Sequence, residues 1–134
     1  MYNWKKAVLR INTKISNVVK NLNSTAFQIV LIVNKENNFI GTITDGDIRR
    51  AFLKGARLKD NIRGIINEKP IVVNKKTTKS EVFNMMRKNE IRHIPIVENK
   101  KIIGVHFLNE KEEKNKNINS EFIIIAGGKG ERLM

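Results

Sequence analysis

The stretch VFNMMRKNEIRHIPIVENKKIIG, residues 82–104, has a counterpart earlier in the chain. Residues 18–41 read VVKNLNSTAFQIVLIVNKENNFIG, and the two segments align when one residue is dropped from a loop. Each contains the apolar end of a helix, a polar step, an apolar strand, a polar turn and a short strand that closes on Gly41 or Gly104. The offset of about 64 residues is too long for a solenoid repeat and indicates two small subdomains packed together.

The segments that precede the strands have the periodicity of amphipathic helices. In the first copy, one apolar stripe at helical spacing is formed by Ile15, Val18, Val19 and Leu22. In the second copy, Thr78 stands three residues before Glu81, which is the spacing of a capping box that opens a helix. The methionines of that helix, Met85 and Met86, are predicted to fill the core.

The strand Ile29–Val33 is apolar on both faces, which predicts a position inside a sheet covered by helices. After Gly41, the sequence TITDGDIRRAFLKG predicts a strand, a sharp polar turn and a helix that begins near Ile48 and ends at Gly55. Three residues of that helix are expected to face inward: Ile48, Ala51 and Phe52. Each copy therefore reads as helix, strand, strand, helix. Neither half is large enough to bury both sheet faces alone, so we expect the copies to share a core.

The 134-residue chain has the composition of a globular protein, with 40% apolar residues and no cysteine. Its longest uninterrupted apolar run, IVLIV at 29–33, is far too short to span a membrane. The start MYNWKK lacks the long apolar stretch of a secretory signal, so we expect a cytoplasmic protein with no membrane partner. Without cysteine the chain has no disulfide framework and no thiolate metal site.

The chain is strongly basic, with 26 Lys and Arg residues against 13 Asp and Glu and a formal charge of +13. Such a balance raises the question of nucleic-acid binding. The basic residues, however, occur in pairs along the whole chain, and no basic stretch is interleaved with aromatic residues that could stack bases. We therefore expect the charge to attract small phosphorylated ligands rather than nucleic acid.

The segments IRHIPIVENKKIIG and FIGTITDGDIRRAFLKG resemble a tandem pair of CBS domains, the regulatory unit called a Bateman module. The resemblance covers about residues 7–110 and implies an α+β (α/β-like) fold: two subdomains related by pseudo-twofold symmetry, each a small mixed sheet packed with helices. We assign residues 1–64 to the first copy with its N-terminal lead-in, and residues 65–110 to the second copy. In this family the cleft between the copies commonly binds adenine nucleotides or related adenosyl ligands, and modules often pair into flat dimers. The resemblance thus implies AMP, ADP or ATP as a regulatory ligand, and a homodimer.

In the first copy, Thr44 and Asp47 flank the turn that leads into the second helix. A carboxylate without a cationic neighbour can accept both hydroxyls of a ribose, and a Thr hydroxyl with helix N-terminal N–H groups can hold phosphate. Gly46 would let the backbone approach the ligand. The alternative is that Thr44 or Asp47 only caps the helix. The residues alone favour capping, whereas the resemblance favours ligand binding.

The second copy departs from this pattern, because Phe107 stands where the first copy has Thr44 and Glu110 stands where it has Asp47. A phenyl ring cannot bind phosphate, so we expect at most one competent site per pair.

The family's cleft-facing strand supplies further predicted ligand contacts. In the second copy these are Arg92 and His93, and at the equivalent positions of the first copy they are Gln28 and Ile29. His93 could instead be a packed, hydrogen-bonded core histidine. The pair Arg49 and Arg50 could add positive charge, or could simply be a solvated helix face. With two histidines and no cysteine, we expect no metal site.

Residues 111–120, KEEKNKNINS, have the composition of a linker. Residues 121–134 follow. Within them FIIIAGGKGERL, residues 122–133, is similar to the first strand and signature loop of sugar-phosphate nucleotidyltransferases of the mannose-1-phosphate guanylyltransferase type. The resemblance implies a nucleoside-triphosphate loop formed by Gly127, Gly128, Gly130 and Arg132, whereas Glu131 departs from the usual Thr. The metal-holding Asp and the sugar-phosphate pocket of that family lie much further along. We therefore expect this chain to be non-catalytic, Mg²⁺ to belong to the missing catalytic domain, and the segment from Phe122 to be disordered or packed opportunistically.

Two functional hypotheses follow. The first is a sensor in which an adenine nucleotide binds the CBS pair and regulates a tethered nucleotidyltransferase. The second is a ligand-free scaffold in which the pair only dimerises that enzyme.

Overall fold

The computed structural model describes residues 3–25 and 27–108, and the backbone of residues 123–126. The chain divides into two compact units. The first unit is Lys5–Pro70, and the second comprises Trp4 and the chain from Ile71 onward. The division falls later than the predicted boundary at residue 64, because Asn67 exchanges two backbone hydrogen bonds with Thr42, at 3.0 and 2.9 Å, and so remains with the first unit.

The first unit contains a three-stranded sheet and two α-helices. In chain order the elements of this part of the chain are a 3-10 helix at Trp4–Ala7, of which Lys5–Ala7 belong to the first unit, β1 Val8–Arg10, α1 Ile15–Thr25, β2 Ile29–Val33, β3 Phe39–Thr44, α2 Asp45–Leu53 and a 3-10 helix at Ile62–Gly64. Strand β2 lies in the middle, parallel to β1 and antiparallel to β3. All five residues of β2 are buried, which confirms the position predicted from its two apolar faces.

Helix α1 confirms the apolar stripe, since Ile15 and Val18 are fully buried and Val19 and Leu22 pack against the same cluster. Buried side chains from both helices, the sheet and the second 3-10 helix form this cluster: Ile15, Val18, Val30, Ile32, Ile43, Ile48 and Ile62.

Helix α2 differs from the prediction in its first residue and in the position of Phe52. It begins at Asp45 rather than near Ile48, because Thr44 caps it and the TDG sequence forms part of its first turn. Ile48 and Ala51 face inward as predicted, but the inward position of Phe52 was wrong, since this ring is 40% exposed. Gly55 follows the helix with a φ of +104°, a conformation that favours glycine, as its predicted role at the helix end requires.

The second unit contains α3 Lys79–Asn89, β4 His93–Glu98, β5 Lys101–Leu108 and β6 Ile123–Ala126. Its strands pair antiparallel in the order β4-β5-β6. Helix α3 begins with the predicted capping box of Thr78 and Glu81. Met86 is a core residue as predicted, with Met85 packed against the same cluster; the buried members are Val73, Val82, Met86, Ile94, Ile96 and Leu108.

The two copies repeat one pairing pattern residue by residue. Ile29 pairs with Thr44 in the first copy, and at the equivalent positions His93 pairs with Phe107 in the second. Each hairpin has a register irregularity at the same place, between Ile32 and Val33 or between Ile96 and Val97. The α+β fold class is thereby confirmed, and each copy has a buried cluster of its own.

Several predictions concern residues outside the described part. The linker at 111–120, the helix expected after β5 and the loop of Gly127, Gly128, Gly130 and Arg132 all lie there. Within 123–126 the backbone forms β6 against β5, which corresponds to the packed alternative for this segment. Among the described residues, no helix has both the length and the apolar character needed to cross a bilayer.

Candidate functional site

The first turn of α2 brings together the three residues that the sequence singled out in the first copy. Thr44, the last residue of β3, is the N-cap, and its hydroxyl accepts a 3.4 Å hydrogen bond from the backbone N–H of Asp47. The Asp47 Oδ2 atom in turn accepts from the Thr44 backbone N–H at 2.9 Å and from the Thr44 hydroxyl at 3.1 Å. These reciprocal bonds form a capping box, so the capping role left open by the sequence is present.

The Asp47 carboxylate also has a cationic neighbour, contrary to the premise of the sequence analysis. Nη2 of Arg50 donates to Asp47 Oδ1 at 2.6 Å, and the two residues form an i,i+3 ion pair. A Cβ added at Gly46 would lie 3.3 Å from Arg50 Nη1, so the guanidinium rests over Gly46. The Gly46 backbone, which was predicted to let a ligand approach closely, is therefore covered by Arg50 in this structure.

The neighbouring ion pair, Arg49 with Asp45, is longer and more exposed. Arg49 Nη2 lies 3.8 Å from Asp45 Oδ2, and both side chains are more than two-thirds exposed. Arg49 thus matches the solvated helix face that the sequence offered as an alternative, whereas Arg50 is tied to Asp47. Sequence reasoning missed the Asp47–Arg50 contact, although their spacing of three residues within one helix was a signal for it.

A groove of about 520 Å³ lies between α1 and α2. Gln28 lines it together with Asp45, Ile48 and Phe52 of the segment that follows β3. Gln28 has a φ of 65°, a left-handed conformation uncommon outside glycine, and it directs the chain into β2. Ile29, the next predicted contact, is buried within the sheet and pairs with Thr44. Gln28 therefore lines a surface groove, whereas Ile29 is buried in the strand next to Thr44.

In the second unit, His93 and Phe107 occupy the positions of Ile29 and Thr44. Their rings stack with centroids 6.2 Å apart and planes inclined by 22°. Burial, with a smaller contribution from the Arg92 charge, lowers the pKa of His93 to about 4. His93 is consequently a neutral imidazole near pH 7 that contacts an aromatic ring, and its predicted role as a ligand contact would rely on hydrogen bonding or stacking rather than charge.

Arg92 is tied to the end of the same hairpin. Its Nη2 donates to the Leu108 carbonyl at 3.3 Å, and its own carbonyl accepts from the Leu108 N–H at 2.9 Å. These bonds hold the residue beside the paired strands β4 and β5. Glu110, the counterpart of Asp47, lies outside the described residues.

The other histidine was not singled out from the sequence as a binding residue. His106 is buried in β5, and its Nδ1 has no hydrogen-bond partner among the described residues. Burial, with a smaller contribution from Lys79, lowers the pKa of His106 to about 4. No group of three or more metal-ligating side chains occurs in the described part of the chain.

A comparison with known families identifies this architecture. The family model for the CBS domain matches residues 5–54 and 62–105, which is more than half of the chain. The chain belongs to the CBS-domain family. The match falls once on each repeat, as the internal alignment of the sequence requires.

Curated relatives of this CBS pair include an uncharacterized protein of Rickettsia prowazekii, 32% identical over 94 residues, and the uncharacterized protein YlbB of Bacillus subtilis, 27% identical over 117 residues. The first match covers 70% of this chain but only 29% of the relative, and the second covers 82% and 77%. The chain thus spans less than a third of the length of the Rickettsia relative.

Solved structures of CBS proteins share the fold. A CBS domain protein of Pyrobaculum aerophilum complexed with AMP has a TM-score of 0.66 at 20% identity, covering 78% of this chain and 86% of that one. The CBS domain pair of protein MJ0100, in complex with 5′-methylthioadenosine and S-adenosyl-L-methionine, has a TM-score of 0.68 at 20% identity, covering 84% and 90%.

Proposed function

We propose that this chain is a regulatory CBS pair of the cytoplasm that binds an adenine nucleotide through the first turn of α2. The observation that carries the proposal is the Thr44–Asp47 pair, whose hydroxyl and carboxylate lie 3.1 Å apart at the start of α2. Fold neighbours solved with AMP and with adenosyl compounds support the class of ligand. AMP, ADP and ATP are the candidates, because Asp47 suits a ribose diol and the helix start suits phosphate.

We also propose Arg92 and His93 of the second copy as ligand contacts. Arg92 supplies positive charge for phosphate, and His93, neutral because its pKa is about 4, supplies a hydrogen bond or a stacking surface. In the first copy, Gln28 and Ile29 hold the equivalent positions. We assign no second ligand to the pair, since Phe107 offers neither the hydroxyl nor the capping geometry of Thr44.

The regulated activity in this proposal is a sugar-phosphate nucleotidyltransferase of the mannose-1-phosphate guanylyltransferase type. The support is the pattern of Gly127, Gly128, Gly130 and Arg132, which lies outside the described residues. Any Mg²⁺ would then serve that catalytic domain rather than the CBS pair.

Calorimetric titration of the wild-type chain against AMP, ADP, ATP, GTP and S-adenosyl-L-methionine tests the sensor function. Asp47→Asn keeps the shape of the side chain but removes its charge, so we expect at least about tenfold weaker binding of the preferred adenine ligand. Asp45→Asn is the matched control, because Asp45 lies in the same turn but is exposed, and its variant should bind as the wild type does. No binding of any of these ligands by the wild type would exclude the sensor function for this set.

A ligand-free dimerisation scaffold is the second candidate, and exposed apolar side chains at the end of α2 favour it. Phe52 is 40% exposed, Leu53 81% and Leu58 52%. Exposed apolar side chains such as these are candidate contacts for a second copy of the chain. Sedimentation equilibrium should then give a dimer for the wild type and a monomer for Leu53→Glu, with Lys54→Glu as the matched control that stays dimeric. A monomeric wild type would exclude this candidate.

A further inference from the structure

The Asp47 carboxylate has nearly exhausted its capacity to accept hydrogen bonds. An ionised carboxylate offers about four acceptor positions, two on each oxygen. Oδ2 uses both of its positions for the backbone N–H and the hydroxyl of Thr44. Oδ1 uses one position for Arg50 Nη2. Only one position, on Oδ1, is left for a ligand.

A ribose diol donates two hydrogen bonds, so its binding to Asp47 requires that one existing donor leaves. The Thr44 N–H is fixed, because it belongs to the N-cap that starts α2. The Thr44 hydroxyl stays beside Oδ2 as long as its oxygen accepts from the Asp47 N–H in the capping box. The guanidinium of Arg50 is the donor that can leave most easily, since the side chain of Arg50 is long, flexible and 65% exposed.

The freed guanidinium would remain beside the ligand. Arg50 lies in the second turn of α2, and its head group already rests over Gly46 in the first turn. An anion held at this helix start would therefore lie within reach of the same side chain after a change of rotamer. Arginine is suited to such an exchange, because its planar head group binds carboxylate and phosphate in similar ways.

We infer that Arg50 is an exchangeable counter-ion that blocks Asp47 in the free protein and pairs with the phosphate of the bound nucleotide. The inference rests on the proposed function, and it adds a selectivity to it. An uncharged nucleoside has to displace Arg50 from Asp47 without giving it a new partner. A nucleoside phosphate replaces the carboxylate with another anion, so the site discriminates AMP from adenosine through Arg50.

The test compares Arg50→Ala with Arg49→Ala, the neighbouring arginine whose partner is Asp45, in calorimetric titrations with AMP and with adenosine. We expect Arg50→Ala to bind adenosine about threefold more tightly, because the competing ion pair is gone. The same variant should bind AMP about fivefold more weakly, because the phosphate loses its guanidinium partner. The AMP-to-adenosine preference thus falls by at least about tenfold, whereas Arg49→Ala keeps the wild-type preference.

The possible outcomes separate this inference from the proposed function. If Arg50→Ala, with a thermal melt like that of the wild type, keeps the AMP-to-adenosine preference while both ligands still bind, the counter-ion role is wrong and the site stands. Equal changes of preference in Arg49→Ala and Arg50→Ala would indicate general electrostatics and also overturn it. A wild type that shows no preference for AMP over adenosine overturns it directly. Failure of every nucleotide to bind the wild type removes the proposed function as well.

Discussion

The two hairpins of the CBS pair have equivalent pairing but different chemistry at its end. In the first copy, Ile29 lies opposite Thr44, whose hydroxyl and N–H engage Asp47 and start α2. In the second copy, His93 lies opposite Phe107, and the two rings stack. Even the register irregularity falls at the same place in both. The backbone is therefore repeated, whereas the side chains that could bind a ligand are not.

This difference shows which residues define the fold and which define a site. The strand pairing is supported by buried apolar side chains at equivalent positions of both copies, such as Val30 and Ile94, each fully buried. The proposed binding chemistry depends on a few positions, and at one of them the second copy has Phe107 in place of Thr44. The core of the second copy thus supports the same hairpin without a counterpart of Thr44.

The largest expected effect concerns the cores of the two copies. Ile43→Ala in the first copy and Ile94→Ala in the second each remove a fully buried side chain, so each should lower the free energy of unfolding by about 3 kcal/mol. Differential scanning calorimetry of both variants measures the losses. If the copies share a core, as their small size predicts, the wild type shows one transition and both variants lower its midpoint.

Ile103→Ala is the control for this pair of variants, because Ile103 is 39% exposed and its truncation should cost much less. Two separate transitions, each lowered by only one of the core variants, would contradict the shared core. The repeat would then consist of two domains that fold independently.

The second largest expected effect is a loss of folding stability at low pH, caused by two histidines of the second copy. His93 and His106 have pKa values of about 4 in the folded chain, against an ordinary value of 6.5. Protons therefore bind the unfolded state more strongly, and stability falls as the pH drops from about 6.5 towards 4. Between pH 7 and pH 5 each histidine should cost about 2 kcal/mol. Urea unfolding curves at both pH values measure the loss.

The first copy supplies the substitution for this test, since it has Ile29 and Ile43 where the second has His93 and His106. We expect His106→Ile to recover about half of the loss, and the double variant with His93→Ile to recover nearly all of it. The double variant also reports the contribution of the carboxylates, which remain unchanged. An equally steep loss in wild type and double variant would show that neither histidine is responsible.

The apolar pattern was sufficient for individual strands and helices because it is strong and local, whereas the resemblance to CBS domains implied the fold. The five apolar residues of β2 predicted a central strand, and Thr78 with Glu81 predicted the start of α3. The sequence was less informative at α2. The polar TDG sequence was predicted to form a turn before the helix, whereas Thr44 caps α2 and the next residues form its first turn. Phe52 was misplaced because an apolar residue at the edge of a helical stripe can face either the core or solvent.

The candidate site was only partly predictable, since the same residues fit two roles. Thr44 and Asp47 have the spacing of a capping box and of a ligand pair, and spacing alone does not separate these. The spacing of Asp47 and Arg50 within one helix allows their contact, but its formation depends on the rotamer of a long side chain, which spacing does not determine. Nδ1 of His106 has no hydrogen-bond partner among the described residues, which follows from its burial in the sheet, and its sequence neighbours gave no sign of this.

The smallest expected loss of stability concerns the two capping boxes. Thr44→Ala and Thr78→Ala each remove an N-cap hydroxyl, so each should lower the free energy of unfolding by about 1 kcal/mol. Urea unfolding at pH 7 measures this loss, and Thr→Ser at either position should largely restore it, since Ser caps as well as Thr.

The two variants should then differ in ligand binding, because only Thr44 belongs to the proposed site. Thr78 bonds to Glu81, whose pKa is lowered chiefly by the hydrogen bond from the Thr78 backbone N–H, and this pair serves α3 alone. Thr44→Ala should therefore weaken AMP binding, whereas Thr78→Ala, with the same loss of stability, should leave it unchanged. Equal weakening in both variants would mean that binding follows the stability of the fold, and Thr44 would then be a cap and nothing more.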